Sequence, residues 1–389
     1  MTDGDAGGGP EPETIASSYG VASDPSYAAV VPPLYLSSTY AFAGYEQQGP
    51  YDYGRAGNPT RDMLAKALAA LEGGAGAVIT SSGMAAIDLL VGRLRPNDLV
   101  LAPHDCYGGT MRLLKARAGL GQLQVCFVDQ GDMREVGRAL EDRPALMIVE
   151  TPSNPMMRVV DIAALAALAH EAEAKVAVDN TFLSPACQRP LELGADLAIH
   201  STTKYLNGHS DIVGGAVIAA DPGQAEELAY WSNAVGSCGA PFDAWLTLRG
   251  LRTLYPRMRQ QQANAMSIAR YLADHPAVSK VYYPGLESHD THGIARRQQK
   301  GFGAMLSFEL EGGVDKVRRF IEAVKFFTLA ESLGGVESLV SHPATMTHAD
   351  MGEEARGRAG IKETLLRLSV GLEAESDLIA GLQCGLAAC

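Results

Sequence analysis

No apolar run in this chain approaches the roughly 20 residues needed to span a bilayer, and no basic segment followed by an apolar one stands at its start. Neither a membrane-spanning protein nor an exported one is expected. Cysteine is sparse: Cys106, Cys126, Cys187, Cys238, Cys384 and Cys389 are scattered without a C-x-x-C pair. That spacing argues against a disulfide framework and a thiolate zinc site, and suits reduced thiols in the cytoplasm. Positive charge is in deficit, with a formal net charge of −13. Nucleic acid and anionic membrane surfaces are thereby poor candidates for the main partner. His209, His342 and His348 have no H-E-x-x-H or comparable ligand spacing, so no metal is expected. No internal repeat is present.

What remains is an ordinary globular composition, 47% hydrophobic and 20% charged over 389 residues, long enough for two or three domains. Residues 1–14 are polar and glycine-rich, and disorder is expected there. From Val31 to Asn58 the chain carries Pro32-Pro33, several tyrosines and four glycines without helical or strand periodicity. It reads as an extended arm, long enough to reach another subunit. Residues 1–58 thus form a flexible start and an inter-subunit arm.

Beyond Pro59 the pattern changes. Thr60 is a candidate cap for a helix with apolar positions Met63, Leu64, Ala67, Leu68 and Leu71, ending near Gly73-Gly74. Short apolar runs then alternate with helical stretches: 77–79, 99–102, 125–128, 146–149, 176–178, 197–199 and 215–218. Near-continuous apolar strands between helices indicate a largely parallel sheet covered on both faces. This first domain is expected over 59–256. A smaller α/β domain is expected over 257–389, where the runs near Val281, Leu306 and Leu368 alternate and suit a sheet covered on one face.

Ser201-Thr202-Thr203-Lys204 is the most informative stretch. It follows the apolar run ending at Ile199-His200 and precedes Gly208. A lysine just past a buried strand has a lowered pKa and is nucleophilic toward an aldehyde. The neighbouring hydroxyls suit a phosphate group. Alone, such a tetrapeptide is most often a solvated turn. Asp179 decides between these readings, because it ends another apolar run, Val176-Ala177-Val178. Pyridoxal 5′-phosphate requires a lysine for its aldehyde and an acid for its pyridine nitrogen, and both residue types lie just beyond strands. Ligands of parallel sheets collect at such ends.

Other residues lie at comparable places. Ser82-Gly83-Met84 opens a helix after a strand, which suits an anion or an ordinary N-cap. Tyr107 suits ring stacking or a loop anchor. Asn154, before Pro155, suits a cofactor or carboxylate contact or a plain turn. Arg367 lies in a strand-like run, where it pairs with a substrate carboxylate or a structural acid. The Gly73-Gly74-Ala75-Gly76 run lacks a phosphate-loop context and is better explained by helix termination.

Taken together, Tyr53 to Arg61, Ser82-Gly83-Met84, Tyr107-Gly108-Gly109, Glu150 to Pro155, Val178 to Thr181, Ser201 to Gly208 and Glu331 to Gly335 resemble the transsulfuration (Cys/Met metabolism) family of pyridoxal-phosphate enzymes. The resemblance runs from about Val31 to the C-terminus. It implies the type I, aspartate-aminotransferase-like fold, with a large mostly parallel sheet domain and a smaller C-terminal α/β domain. It makes Lys204 the cofactor lysine, Asp179 the partner of the pyridine nitrogen and Tyr107 the stacking residue. Gly83 and Met84 amides with Ser201 and Thr203 hydroxyls would hold the phosphate, joined by Tyr53 and Arg55 from a neighbouring subunit. Arg367 and Asn154, with the backbone near Ser332, would take an amino-acid carboxylate. Arg112 would meet a second carboxylate, and Glu331 lies on the surface that receives cysteine.

Within the family the likeness is greatest to bacterial members that replace the acyloxy group of O-succinyl- or O-acetylhomoserine with cysteine, giving cystathionine. The resemblance further implies amino-acid substrates and a homotetramer, a dimer of dimers with shared sites. Elimination from cystathionine and replacement by sulfide are rival activities on the same scaffold. A non-catalytic scaffold is a more distant rival, since Lys204, Asp179, Tyr107 and Arg367 all stand.

Overall fold

A computed structural model of the protein describes residues 9–389. Residues 1–8, covered by the expectation of disorder, lie outside them. For residues 12–14 that expectation fails: Pro12–Ser18 forms a helix, α1, with Pro12 at its first turn. Ala16 is buried and Ile15 packs on the core, so tertiary contact stabilises a segment whose composition alone reads as coil.

The arm from Val31 to Asn58 contains neither helix nor strand, only isolated bridges such as Thr39 with Tyr53. Helix α2 (Pro59–Glu72) follows. Its cap is Asn58, not Thr60: the Asn58 side chain accepts from the Thr60 and Arg61 amides at 3.0 and 3.1 Å. Proline at the first position makes this register the natural one, because its missing N–H has no partner to lose. The helix stops at Gly73, whose φ of 75° is left-handed.

A seven-stranded sheet then forms: β1 (Gly76–Thr80), β2 (Leu99–Pro103), β3 (Gln124–Val128), β4 (Leu146–Glu150), β5 (Lys175–Asp179), β6 (Leu197–Ser201) and β7 (Gly215–Ala219). Their order is β1-β7-β6-β5-β4-β2-β3, and β7 alone runs against the rest. Apolar clusters cover both faces, as continuous apolar strands require. Parallel register sets Glu150 opposite Asp179, both at carboxyl ends. Helix α3 (Gly83–Val91) leaves β1, and α4 (Gly108–Gly119) follows β2.

The helix Leu254–Ala273 runs unbroken across the expected 256/257 boundary. A second sheet contains β8 (Val278–Tyr282), β9 (Met305–Leu310), β10 (Thr328–Leu329), β11 (Leu339–Ser341) and β12 (Leu365–Ser369), ordered β10-β11-β12-β9-β8. Strands β9 and β12 are buried at every position, which corrects the expectation of a sheet covered on one face. Phe308 packs against Phe320 of a covering helix, with ring centroids 5.5 Å apart. On the other face, Ser307 donates to the Pro155 carbonyl at 2.7 Å. The first domain therefore covers what would otherwise be a solvent face, and Arg367, paired with Ser307 in register, points toward it.

Candidate active site

A cavity of about 500 Å³ opens at the carboxyl ends of the parallel strands. Its walls include Gly83, Tyr107, Asp179, Lys204, Glu331 and Arg367. Residues separated by nearly 300 positions thus meet where a parallel sheet leaves its crevice.

Lys204 stands three residues beyond β6 and donates from Nζ to the Ser332 hydroxyl at 2.7 Å. Burial pushes its pKa down to about 8, the Arg367 charge adds to that shift, and Glu331 opposes it. The amine therefore loses its proton as pH rises through about 8 instead of its ordinary 10.5. Capture of pyridoxal phosphate by the apoprotein, followed as growth of yellow absorbance, should accelerate as pH passes about 8 and then level off. A rise centred near 10.5 would contradict this environment for the lysine.

Asp179 ends β5 and accepts the Thr181 amide at 3.0 Å. Burial raises its pKa, while hydrogen bonds from Thr181 and the nearby His200 act the other way. The Thr181 hydroxyl in turn accepts the Ser201 amide at 2.9 Å, fixing β5 to β6 beside the cavity.

Gly83 and Met84 begin α3, where the first N–H groups have no partner inside the helix. The Ser82 hydroxyl caps the helix by accepting the Ala85 amide at 3.0 Å. A Cβ placed on Gly83 would lie 2.8 Å from the Ser201 Cβ, so glycine keeps a narrow cradle open between α3 and β6. Thr203 lies on the same wall, its hydroxyl accepting the Gly214 amide at 3.0 Å. Free amides, a hydroxyl and a helix start in one cradle suit a phosphate. With a low-pKa lysine and a buried acid nearby, the residues present fit pyridoxal phosphate.

At the opposite wall, Arg367 is 2% exposed. It donates to Asn154 Oδ1 at 2.9 Å and to the Ser332 carbonyl at 2.8 Å, while its Nε has no partner. A buried guanidinium with a spare donor suits a carboxylate. Ser332 takes a φ of 83°, unusual for a non-glycine residue. That backbone aims its carbonyl at Arg367 and its hydroxyl at Lys204 together. Glu331 and Arg112 are exposed and line the mouth of the cavity.

Tyr53 and Arg55 are not among the residues lining this cavity. Arg55 donates to the Asn233 side chain at 2.6 Å, and its guanidinium lies 5.7 Å from the Tyr53 ring. Sequence reasoning overlooked Glu150 and His348, which also line the cavity. His348 donates from Nε2 to the Asn154 carbonyl at 3.0 Å, and burial pushes its pKa down to about 4. Its ring had been weighed only as a metal ligand. Among the described residues no group of three or more His, Cys, Asp or Glu is arranged to hold a metal ion. Nor is any helix among them long and apolar enough to cross a membrane.

Residues 13–387 match the family model described as Cys/Met metabolism PLP-dependent enzyme. The chain belongs to this family. Among its members, cystathionine gamma-synthase of Escherichia coli strain K12 is 58% identical over 376 residues, 96% of this chain and 97% of that protein. The crystal structure of cystathionine gamma synthase from Xanthomonas oryzae pv. oryzae, in complex with aminoacrylate and cysteine, is 53% identical with a TM-score of 0.97. The match covers 98% of this chain and 99% of that one. Cystathionine gamma-lyase of Dictyostelium discoideum is 43% identical, covering 95% of this chain and 96% of that protein. The family's cofactor and the type I fold therefore apply to this chain.

Proposed function

We propose that the protein is a cytoplasmic cystathionine γ-synthase, replacing the acyloxy group of O-succinylhomoserine or O-acetylhomoserine with L-cysteine. The observation that carries this reading is the 58% identity with the Escherichia coli cystathionine gamma-synthase over 96% of this chain, on a site that pairs a low-pKa lysine with a buried, partly unpartnered arginine. In the reaction the Cγ–oxygen bond of the ester breaks and a Cγ–sulfur bond to cysteine forms. The acyloxy group leaves as a carboxylate, and the thiol proton passes to solvent.

When bound, pyridoxal phosphate supplies an electron sink for negative charge at the substrate's carbon chain. Gly83 and Met84 amides and the Ser201 and Thr203 hydroxyls would hold its phosphate. Asp179 would hold a proton at its pyridine nitrogen, and Tyr107 would cover its ring. Arg367 orients the amino-acid carboxylate, with Asn154 and the Ser332 backbone fixing the guanidinium. That places the substrate's Cα and Cβ near Lys204, whose amine takes and returns their protons as a general acid–base. A pKa of about 8 favours this task, because both protonation forms are well populated near neutrality. Arg112 and Glu331 at the cavity mouth suit the charged ends of the second substrate.

The active form is read as a homotetramer, a dimer of dimers, with Tyr53 and Arg55 completing a partner's phosphate site. The arm supports this reading: Tyr45 is about 90% exposed, and Leu36, Phe42 and Tyr53 are also open. Apolar groups so arrayed on a segment without its own core suit burial against a second copy. Arg55→Ala should remove a charge-assisted contact worth about 1.5–3 kcal/mol, or roughly 10- to 150-fold in cofactor affinity. Mixing it with Lys204→Ala should restore activity, because one site of each mixed dimer receives intact Arg55 and intact Lys204. No recovery after demonstrated subunit exchange would contradict the shared site.

The functional reading itself is tested by steady-state rates. O-Succinylhomoserine with cysteine should turn over to cystathionine faster than cystathionine alone is cleaved. The reverse order would assign the protein to the lyases, and a preference for sulfide over cysteine would make it a sulfhydrylase.

A further inference from the structure

We infer that Glu150 is a positioning residue, one carboxyl group that locks the ring-stacking tyrosine and the carboxylate-binding asparagine into a common geometry. The inference rests on the functional reading above. Glu150 closes β4 and is 9% exposed, that remainder opening on the cavity. Its Oε2 accepts the Tyr107 amide at 2.8 Å, and its Oε1 accepts the Asn154 amide at 3.2 Å. Neither amide belongs to a ladder or to a helix interior, since Tyr107 precedes α4 and Asn154 lies between β4 and Pro155.

Burying a carboxyl is costly unless its oxygens find donors. Burial and the charge of Asp179 push the Glu150 pKa well up, and the two amides act against them. A filler at this position would be apolar. In either protonation state a carboxyl presents an accepting oxygen at both positions, which glutamine, with an N–H₂ at one of them, does not. The consequence reaches both halves of the site. Asn154 Oδ1 accepts from Arg367 at 2.9 Å, so moving the Asn154 backbone moves the guanidinium's partner. Tyr107 is held at the amide while its ring packs over Gly109, where a Cβ would come within 2.5 Å of it.

Glu150→Gln keeps the size but withdraws one acceptor. Expected is a drop of about 10- to 100-fold in kcat/KM for the acylhomoserine, with kcat lowered and KM raised together. Cofactor affinity should fall less than kcat/KM, because the phosphate contacts remain and only the Tyr107 stacking is loosened, and the apoprotein melting temperature should fall only modestly, by the cost of one unpaired amide. Kinetics matching wild type would overturn the inference, as would a loss fully restored by excess pyridoxal phosphate. If the variant does not fold, amide exchange in the wild-type holoenzyme decides. Slow exchange at Tyr107 and Asn154 supports the clamp, and exchange at the rate of open amides overturns it. A wild type inactive on acylhomoserine and cysteine would instead overturn the functional reading.

Discussion

Lys204→Ala is expected to fold, to retain pyridoxal phosphate without a covalent link, and to lose nearly all turnover. The fold should survive because the Lys204 amine is held by the Ser332 hydroxyl, which can turn to other partners, and its burial already disfavours its charge. Removing a buried amine leaves a small polar gap instead of an unpaired ion. The cofactor should still bind through the cradle at Gly83, Met84 and Ser201, with lower affinity. Turnover should fall about 10²- to 10⁴-fold from the missing proton transfer alone, and further because the covalent attachment is gone. Comparison of kcat for wild type and variant, both saturated with cofactor, checks this. Turnover near wild type would remove Lys204 from the chemistry.

Asp179→Asn should produce the next largest loss. The carboxyl is buried at the end of β5, and an amide of equal size can still accept the Thr181 amide. Folding should therefore be nearly unaffected. What the amide cannot do is hold a positive charge at the pyridine nitrogen, so the electron sink weakens. By analogy with removal of a single preorganised electrostatic contact, kcat should fall about 10²- to 10³-fold. KM for the acylhomoserine should change much less, since Arg367 and Asn154 are untouched. A defect confined to KM would give Asp179 a binding role instead.

Much of this architecture was legible in the sequence because a parallel sheet writes itself as continuous apolar runs. Lys204 and Asp179 were conspicuous as polar residues directly after such runs. Other features depend on contacts across the chain and leave no local signal. Helix α1 forms because Ile15 and Ala16 find the core, and strands β9 and β12 are doubly covered because the first domain sits on them. The Asn58 cap was legible, since asparagine caps at least as well as threonine and Pro59 marks the first helical position, yet sequence reasoning favoured Thr60 in its place. Glu150 stood in view at a strand end, yet its importance lies in amides 43 and 4 residues away. His348 was visible as a histidine without metal spacing, and only the fold brings it to the Asn154 carbonyl 194 residues away.

The most direct test of the account is the location of the cofactor bond. Holoenzyme reduced with borohydride, digested and mapped by mass spectrometry should carry the reduced pyridoxyl group on the peptide containing Lys204. Modification confined to any other lysine, or a yellow holoenzyme that borohydride does not bleach, would contradict it.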